Sequence, residues 1–247
     1  LEAIAERDRL QEATCIDFAP GPLRTDADTR IGNVNAFASA TIPWGRHVVA
    51  ELAFGMERTH YRHKDLLEER VQDRSPGTFA HPALGLAFHG SAVNGRLRYA
   101  ESTSRPTVWE LLGSEGRFNN ELVPERVREL EAGLGSADSS AVQVRLAVYG
   151  RWIDDAIVSR IDPLTEAEHF ENDDGRTVIS GVEAQVNARW GRNNGWHGWA
   201  RSALTLQRAV QESSTGSTQP PGLPPFQGTL LVRAMHGRGY FLDVLGR

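Results

Sequence analysis

Apolar and polar residues alternate along most of the chain after residue 33. In "NVNAFASATIPW", residues 33–44, Val34, Ala36 and Ile42 fall on one face and Asn33 falls on the other. The same alternation returns in "HVVAELAFGMERTH", "AVQVRLAVYGRWI" and "TVISGVEAQVNARW". A period of two is typical of β-strands that bury or expose one apolar face. The pattern therefore predicts an all-β fold of about ten antiparallel strands.

The connections between these strands alternate in length. Short turns such as "GSAVNG", "GSADSS" and "GRNNG" follow every second strand. The other connections are long and polar, at residues 61–80, 103–126, 156–176 and 208–226. Outer-membrane barrels have this asymmetry, with short periplasmic turns and long extracellular loops. We therefore expect an antiparallel up-and-down transmembrane β-barrel. Tryptophans beside short turns suit a membrane interface, at Trp44, Trp190 and Trp196.

The same alternation also fits two other classes of protein. A smaller barrel could act as a passive outer-membrane pore, and a soluble β-rich module could bind a ligand through exposed aromatic side chains. The membrane barrel is favoured because long antiparallel meanders are less common in soluble proteins.

The composition narrows these classes. The chain has 247 residues, of which 40% are hydrophobic and 24% charged, as in a folded protein. The formal net charge of −5 argues against a nucleic-acid groove, so no nucleic-acid partner is predicted. No apolar run reaches the length of a transmembrane helix, and the single cysteine, Cys15, excludes an internal disulfide.

Candidate chemistry is sparse. "HYRH" brings His60 and His63 close to Glu57 in sequence, and "AEHFENDDG", residues 167–175, is acidic enough to suggest calcium. Neither has the spacing of a known metal site, so we interpret them as a solvated strand end and a polar loop. No nucleophile elbow or phosphate-binding glycine loop is present. The sequence therefore predicts no catalytic residue, no metal site, no cofactor and no enzyme activity.

One segment has conflicting signals. In "NNELVPERVRELEAGLG", residues 119–135, Pro124 and Gly133 could begin and end a helix. The segments on both sides are strand-like, and tertiary pairing can override local propensity. We therefore expect a strand with Leu130 facing lipid and Glu131 facing the lumen. A helix at 125–133 would contradict the barrel interpretation.

Three segments, in order, resemble the C-terminal part of the barrel of TonB-dependent outer-membrane receptors. "LRYAESTSRPTVWELLG", residues 97–113, is similar to the family's loop with an Arg-Pro pair. "NNELVPERVRELEAGLG" is similar to its Asn, Leu, Pro-Glu pattern, and "VISGVEAQVNARWG" to its Gly-Val-Glu strand. The residues that carry the resemblance are Arg105, Pro106, Pro124, Glu125, Gly181 and Glu183.

The resemblance covers about residues 31–245, which makes residues 31–247 a partial barrel. No plug domain or TonB box is recognisable, and about ten strands are fewer than the 22 of the family's barrel, which predicts a fragment or a truncated relative. Residues 1–30 match nothing in the family and are expected to form a loop or a short helix.

The resemblance also implies a function. The expected activity is energy-dependent uptake of a scarce ligand, such as an iron–siderophore complex or cobalamin, across the outer membrane of a Gram-negative-type bacterium. The implied partners are outer-membrane lipid or lipopolysaccharide, the small-molecule ligand and a TonB-type energising protein. Ligand contacts are expected in the four long loops, and the six motif residues are expected to have a structural role.

Overall fold

A computed structural model describes most of the chain. It covers residues 2–16, 19–66, 68–114, 117–137, 141–191, 195–213, 216–220, 223–236, 238 and 240–246. The described elements are almost all strands, with one five-residue helix, α1, at Val108–Leu112. No helix within these ranges has the length and apolar character needed to cross a membrane.

The strands follow one another along the chain with the following bounds. The first seven are β1 Glu2–Ile16, β2 Ala19–Trp44, β3 Val48–Asp65, β4 Arg70–His89, β5 Val93–Ser104, β6 Glu125–Ser136 and β7 Val142–Asp154. The others are β8 Ile157–Ile161, β9 Glu168–Asn172, β10 Arg176–Gly191, β11 Trp196–Ser213, β12 Gly216–Thr218, β13 Phe226–His236 and β14 Phe241–Gly246.

Twelve of these strands form one antiparallel sheet. Its order is β1-β2-β3-β4-β5-β6-β7-β10-β11-β13-β14, with β12 paired to β11, and β8 and β9 form a separate two-stranded sheet. The main path follows the order of the chain once β8, β9 and β12 are left out, which confirms the up-and-down arrangement. In the part of the chain that the structure describes, the sheet is open, with β1 and β14 as its edges.

The strand register aligns apolar residues across the whole sheet. Leu146 lies opposite Leu134 on one side and Ala184 on the other, while Val148 lies opposite Ala132. The large members of this face, here called the apolar belt, are 38–76% exposed. They include Val34, Ile42, Trp44, Leu52, Phe54, Met56, Leu84, Leu86, Phe88, Leu97, Leu130, Leu134, Val142, Val144, Leu146, Val148, Val182, Val186, Trp190, Leu206 and Leu230. So large an exposed apolar surface is typical of a membrane-facing or partner-facing wall.

The opposite face of the sheet, here called the polar face, carries paired charges. Arg151 donates to Glu129 at 2.9 Å from Nε and 2.6 Å from Nη2, and Arg96 donates to Glu131 in the same way. A cavity of about 580 Å³ opens on this face near the short turns. Its polar lining includes Arg96, Glu131, Arg145, Glu183, Gln185 and Thr205.

Most of the segment 119–135, for which the sequence gives conflicting signals, is a strand in the structure. From Glu125 to Ser136 they form β6, hydrogen-bonded to β5 on one side and β7 on the other. Leu130 is 42% exposed on the apolar belt, whereas Glu131 bonds Arg96 on the polar face. The expected strand is confirmed, because two neighbouring strands satisfy its backbone and outweigh its local helix propensity.

Two sequence-based boundaries are wrong. Residues 61–80 are not a loop, because β3 continues to Asp65 and β4 begins at Arg70. Residues 2–16 and 19–30 are not a loop or a short helix either, since they form β1 and the first part of β2. These strand segments lack the apolar–polar alternation that predicts a strand, because beyond the apolar belt polar residues occupy both faces. The side chain of Cys15 lies outside the described part of the chain.

Candidate functional site

The end of the sheet with long connections is covered by a small folded cap. The cap consists of residues 105–114, which contain α1, residues 117–124, and the β8–β9 hairpin, residues 157–172. A capping box starts α1: Glu110 N–H donates to Thr107 Oγ1 at 3.2 Å, and Thr107 N–H donates to Glu110 Oε2 at 2.6 Å. Gly113, with φ at 58°, ends the helix. A side chain at Gly113 would meet the backbone of β9, 2.7 Å away.

The main buried apolar cluster of the described residues joins this cap to the sheet. Tyr61 on β3 and Leu111 on α1 are fully buried, and Leu122 is 1% exposed. The cluster and its half-buried neighbours are Ile31, Tyr61, Leu111, Leu122, Val108, Phe118, Ile157 and Phe170. The cap is therefore packed on β2 and β3 and is not held by surface contacts alone.

Asparagine side chains join the two parts of the cap. Asn172 Oδ1 accepts from Val123 N–H at 2.8 Å, and Asn172 Nδ2 donates to Val123 O at 2.9 Å and to Asp155 O at 2.6 Å. Asn119 Nδ2 donates to Phe170 O at 2.7 Å. These bonds give the irregular segment near residue 123 the backbone partners that a strand would have provided.

A third contact comes from the β3–β4 hairpin. Arg74 donates from Nη1 to Leu122 O at 2.7 Å and from Nη2 to Glu121 O at 3.3 Å. Arg74 therefore adds two hydrogen bonds to the packing of β3 against the cap.

Glu57 connects the cap with the polar face of the sheet. Its carboxylate accepts hydrogen bonds from Asn33 Nδ2 at 3.1 Å, Thr59 Oγ1 at 3.2 Å and Thr103 Oγ1 at 3.2 Å. These donors belong to β2, β3 and β5, so one carboxylate ties three strands together where the cap begins.

Two cationic or potentially cationic groups approach the same carboxylate. Arg105 Nε lies 3.6 Å from Glu57 Oε1, and His81 Nε2 lies 3.3 Å from Glu57 Oε2. Because the Glu57 side chain is only 12% exposed, its charge is poorly hydrated and depends on these partners. The pair between Glu57 and Arg105 holds the start of the cap against the sheet.

A buried histidine lies beneath the cap, beyond the apolar belt. The His63 ring stacks on Phe118, with ring centroids 4.9 Å apart, and its Nδ1 lies 2.9 Å from Thr29 Oγ1. Burial lowers the pKa of His63, against a smaller opposing effect of Asp65. His63 is therefore kept neutral at the junction between β3 and the cap.

Some buried polar atoms near the cap lack a hydrogen-bond partner among the described residues. They include Tyr61 OH and Asn33 Oδ1. Burial raises the pKa of Tyr61 to about 12, chiefly because the phenolate would be desolvated. Such atoms retain capacity to bind water or a ligand.

A cavity of about 540 Å³ lies between the cap and β2. It is lined by Ile31, Thr103, Arg105, Pro106, Thr107, Val108 and Trp109. Its lining combines a guanidinium, two hydroxyls and the ring of Trp109, which is 49% exposed. This chemistry suits a ligand with negatively charged oxygens and a flat or apolar part.

The structure places three of the six motif residues, Arg105, Pro106 and Pro124, in the cap, and a fourth, Glu125, at the start of β6 in contact with it. Arg105 pairs with Glu57, Pro106 and Pro124 are almost fully buried, and Glu125 Oε1 accepts from Ile157 N–H at 2.8 Å. These contacts support the structural role that was predicted for them, which stays a prediction.

The other two motif residues lie on the wall, away from the cap. Glu183 lines the cavity near the short turns. Gly181 lies between Tyr149 and Gln207 in the strand register, and Tyr149 OH donates to Gln207 Oε1 across it at 2.9 Å.

The remaining long connections differ in form from plain loops. Residues 156–176 contain the β8–β9 hairpin, residues 103–126 contain α1, and in 208–226 β11 extends to Ser213 and is followed by β12. Whether these segments contact a ligand stays a prediction.

The two metal candidates also have an explanation in the fold. His60 is exposed and His63 is buried, because residues three apart in a strand point to opposite faces. In the acidic segment, Glu171 pairs with Arg160, and Asp173 accepts from Gln211. Within the described ranges, no three His, Cys, Asp or Glu side chains are grouped so that they could hold a metal ion.

Sequence reasoning missed the residues that hold the cap in place. Glu57, His63, Arg74, Asn119 and Asn172 lie in ordinary polar positions of strands or loops. Their partners are 17–51 residues away in the chain. Strand alternation alone would have predicted only one of these features: His63 is two positions from Tyr61, so both side chains lie on the same, buried face of β3.

Comparison with solved structures gives several matches to transporters and import receptors. The ferric citrate transporter FecA is 16% identical, with 94% of this chain and 35% of that chain covered and a TM-score of 0.70. The ferric-catecholate import receptor Fiu from K12 E. coli is 15% identical, with 94% and 38% covered and a TM-score of 0.68. The copper transporter OprC is 16% identical, with 95% and 38% covered and a TM-score of 0.68. At these identities the likeness shows a shared fold.

The chain spans 35–38% of the length of these three structures, so its sheet corresponds to part of a larger barrel. A comparison with curated proteins gives no match. The family described as TonB dependent receptor-like, beta-barrel, matches residues 11–245. The chain therefore belongs to the TonB-dependent receptor-like β-barrel family.

Proposed function

We propose that this chain forms part of the wall and the external cap of an outer-membrane receptor that takes up a scarce ligand, with a ferric siderophore complex as the ligand class. The observation that carries the proposal is the position of the Arg105–Trp109 cavity. It lies at the long-connection end of a sheet whose other end has only short turns, on a wall with an apolar belt. That end faces the outside in outer-membrane barrels.

The cavity's chemistry supports the ligand class. Ferric complexes of organic chelators present oxygen ligands, often with net negative charge, around a rigid and partly aromatic frame. Arg105 offers a planar donor group, and Trp109 offers a ring for stacking. Solved structures of similar fold are named for ferric-catecholate import, ferric citrate transport and ferripyoverdine binding. The TonB-type energising partner is proposed from family membership.

Family membership also bears on catalysis. TonB-dependent receptors are transporters, so the prediction that the chain is not an enzyme is confirmed at the level of the family.

The proposal is tested in the host bacterium with the intact gene that encodes this chain. We expect the product in the outer-membrane fraction. Under iron limitation, deletion of the gene should abolish uptake of radiolabelled iron from at least one of three complexes: ferric citrate, a ferric catecholate or ferripyoverdine. Restoring the gene should restore uptake, and a protonophore should stop it.

Two variants refine this test. Trp109→Ala should weaken binding of the transported complex about tenfold, since a stacking ring contributes on the order of 1–3 kcal/mol. Tyr240→Ala, an exposed aromatic residue beside a short turn, is the matched control and should leave binding unchanged. Uptake that persists with the protonophore would indicate a passive pore. Recovery of the protein from the soluble fraction without detergent would indicate a soluble binding module.

A further inference from the structure

One arginine at the base of the cap has two possible partners. Arg105 lines the cavity between the cap and β2, where the ligand is proposed to bind. Its Nε also lies 3.6 Å from Glu57 Oε1, and the two side chains are 31% and 12% exposed. The guanidinium that an anionic ligand would use is therefore already paired with a carboxylate of the protein.

The contact between Arg105 and Glu57 is electrostatic and is not a direct hydrogen bond. Its length of 3.6 Å exceeds the ~2.7–3.2 Å of a direct N–H···O bond. Elsewhere on the polar face, Arg151 donates to Glu129 at 2.9 and 2.6 Å. The hydrogen bonds to Glu57 come instead from neutral donors at 3.1–3.2 Å, namely Asn33, Thr59 and Thr103. Arg105 can therefore leave Glu57 without breaking a direct hydrogen bond.

His81 on β4 is a second group that can compensate the charge of Glu57. Its Nε2 lies 3.3 Å from Glu57 Oε2, the other carboxylate oxygen. Both ring nitrogens of His81 are buried and have no hydrogen-bond partner among the described residues. A proton on this ring would place a positive charge beside Glu57. His81 can thus replace Arg105 as the cation next to the carboxylate.

The remaining groups around Glu57 keep one charge state near neutral pH. Burial raises the pKa of Tyr61 on β3 to about 12, so its phenol stays neutral, and the guanidinium groups of Arg105 and Arg74 stay charged. Asn33 on β2, Thr59 on β3 and Thr103 on β5 are uncharged. The position opposite His81 on β3 is Gly55, and the register of β4 with β5 ends at Ala83 and Ala100. Among these side-chain types, imidazole is the one that exchanges a proton near neutral pH.

An anionic oxygen of the ligand would compete with Glu57 for Arg105. When the guanidinium turns to the ligand, Glu57 keeps its neutral donors and loses its full cation. An uncompensated charge is unfavourable on a side chain that is only 12% exposed. A proton taken up from solvent by the His81 ring removes this penalty, and no other bond changes.

We propose that Glu57 is a built-in competitor for the anionic oxygens of the ligand at Arg105, and that proton uptake by His81 releases Arg105 to the ligand. The free receptor is held back by its own carboxylate. The bound receptor holds one proton more, so its affinity rises as the pH falls. The inference rests on the proposed function, because it concerns the regulation of the same cavity.

The first test is binding to the intact receptor purified in a neutral detergent, with ferric citrate, a ferric catecholate and ferripyoverdine as probes. Glu57→Gln keeps an acceptor for the three neutral donors and removes the competing charge. At pH 8.0 it should bind the recognised complex about fivefold more tightly than the wild type, the fold-change expected for the loss of one partly exposed ion pair. A purely structural role of Glu57 predicts weaker binding instead.

The matched control is Glu129→Gln, which removes the carboxylate partner of another arginine on the polar face, away from the cavity. It should bind like the wild type. Retention of the heat-modifiable folded form on gels shows that each variant is folded.

The second test measures the role of His81. Protonation of the ferric complex itself affects every variant alike, so the readout is the ratio of the wild-type Kd to the Glu57→Gln Kd at each pH. This ratio should fall from about five at pH 8.0 towards one at pH 6.5, as His81 takes over the charge of Glu57. In a His81→Gln background, the effect of Glu57→Gln should be the same at both pH values.

The outcomes separate this inference from the function on which it rests. Equal or weaker binding by folded Glu57→Gln at pH 8.0 would overturn the inference and leave the proposed ligand class standing. A ratio that does not change with pH in the presence of His81 would overturn the proton-linked release. If none of the three complexes binds the wild type at either pH, both the ligand class and the inference are refuted.

Discussion

Gly181 shows how a single residue shapes the polar face of the wall. The Tyr149 ring crosses β10 at this position to reach Gln207. A Cβ at Gly181 would lie 2.6 Å from Tyr149 Cζ and 2.8 Å from Leu206 O. The glycine is thus required by close packing of an aromatic ring on the backbone. Its φ angle is not in the left-handed region, so conformational freedom is not the reason.

Gly181→Ala should therefore destabilise the folded receptor by about 1–3 kcal/mol, the usual cost of overpacking. The measurement is the urea midpoint of unfolding in detergent. Gly191→Ala on the same strand is the matched control, because a Cβ there meets nothing within 4 Å.

Tyr149→Phe separates the hydrogen bond to Gln207 from the packing of the Tyr149 ring on Gly181. It removes only the bond to Gln207, so it should cost less, about 1 kcal/mol. If Gly181→Ala and Gly191→Ala had equal midpoints, the packing explanation would be wrong.

At the scale of elements, the junction between β3 and the cap depends on a neutral histidine. His63 is buried against Phe118. Its lowered pKa means that the imidazole ring takes up a proton less readily while the cap is docked on β3. An undocked cap would leave the ring near its ordinary pKa of about 6.5. Above about pH 7 neither state binds this proton, so docking does not depend on pH there. As the pH falls through about 6.5, the undocked state takes up the proton first and docking weakens.

The expected result is faster amide hydrogen exchange in residues 117–124 at pH 5.5 than at pH 7.5, after correction for intrinsic exchange. His63→Asn places an amide near the ring Nδ1 position, which can keep the contact with Thr29 and cannot titrate. The pH dependence should be smaller in this variant. An unchanged pH dependence in His63→Asn would assign the effect to another group.

The elements themselves were predictable from sequence where one face is apolar. The alternation in residues 141–153 and 177–190 predicts β7 and β10, and their pairing follows from the up-and-down rule. Beyond the belt, both faces of β3 are polar, so its extension to Asp65 leaves no apolar period to detect. The cap was not predictable because bonds such as Asn172 to Val123 join residues 49 positions apart. No local pattern encodes such a pairing.

At the scale of the whole molecule, the apolar belt supports the proposed membrane location of the protein. Leu146 lies in the belt between Leu134 and Ala184 and is 51% exposed. A leucine exposed to water has little effect on the stability of a soluble protein, whereas a leucine exposed to lipid is favourable because its side chain is apolar.

Leu146→Arg should destabilise the receptor in lipid vesicles by about 2–4 kcal/mol, the cost of a basic residue near the bilayer midplane. The measurement is the free energy of unfolding from vesicles of defined phosphatidylcholine. Leu164→Arg is the matched control: Leu164 lies in the β8–β9 hairpin, is 92% exposed and is outside the belt. It should change stability by less than about 0.5 kcal/mol. Equal, small effects of both changes would show that the belt does not face lipid.

The joined construction of the cap has a consequence for protein engineering. Residues 105–114 and 117–124, the β8–β9 hairpin and Arg74 of the β3–β4 hairpin are joined by hydrogen bonds, and the cap segments also share one apolar cluster. A single segment transplanted from another receptor would lack hydrogen-bond partners for its own backbone groups. The backbone groups of the adjoining cap segments would also lose their partners. Under the proposed function, recognition of a new ligand would have to be transferred as three segments at once. Natural variation in this region is expected to show correlated changes at Arg74, Asn119 and Asn172.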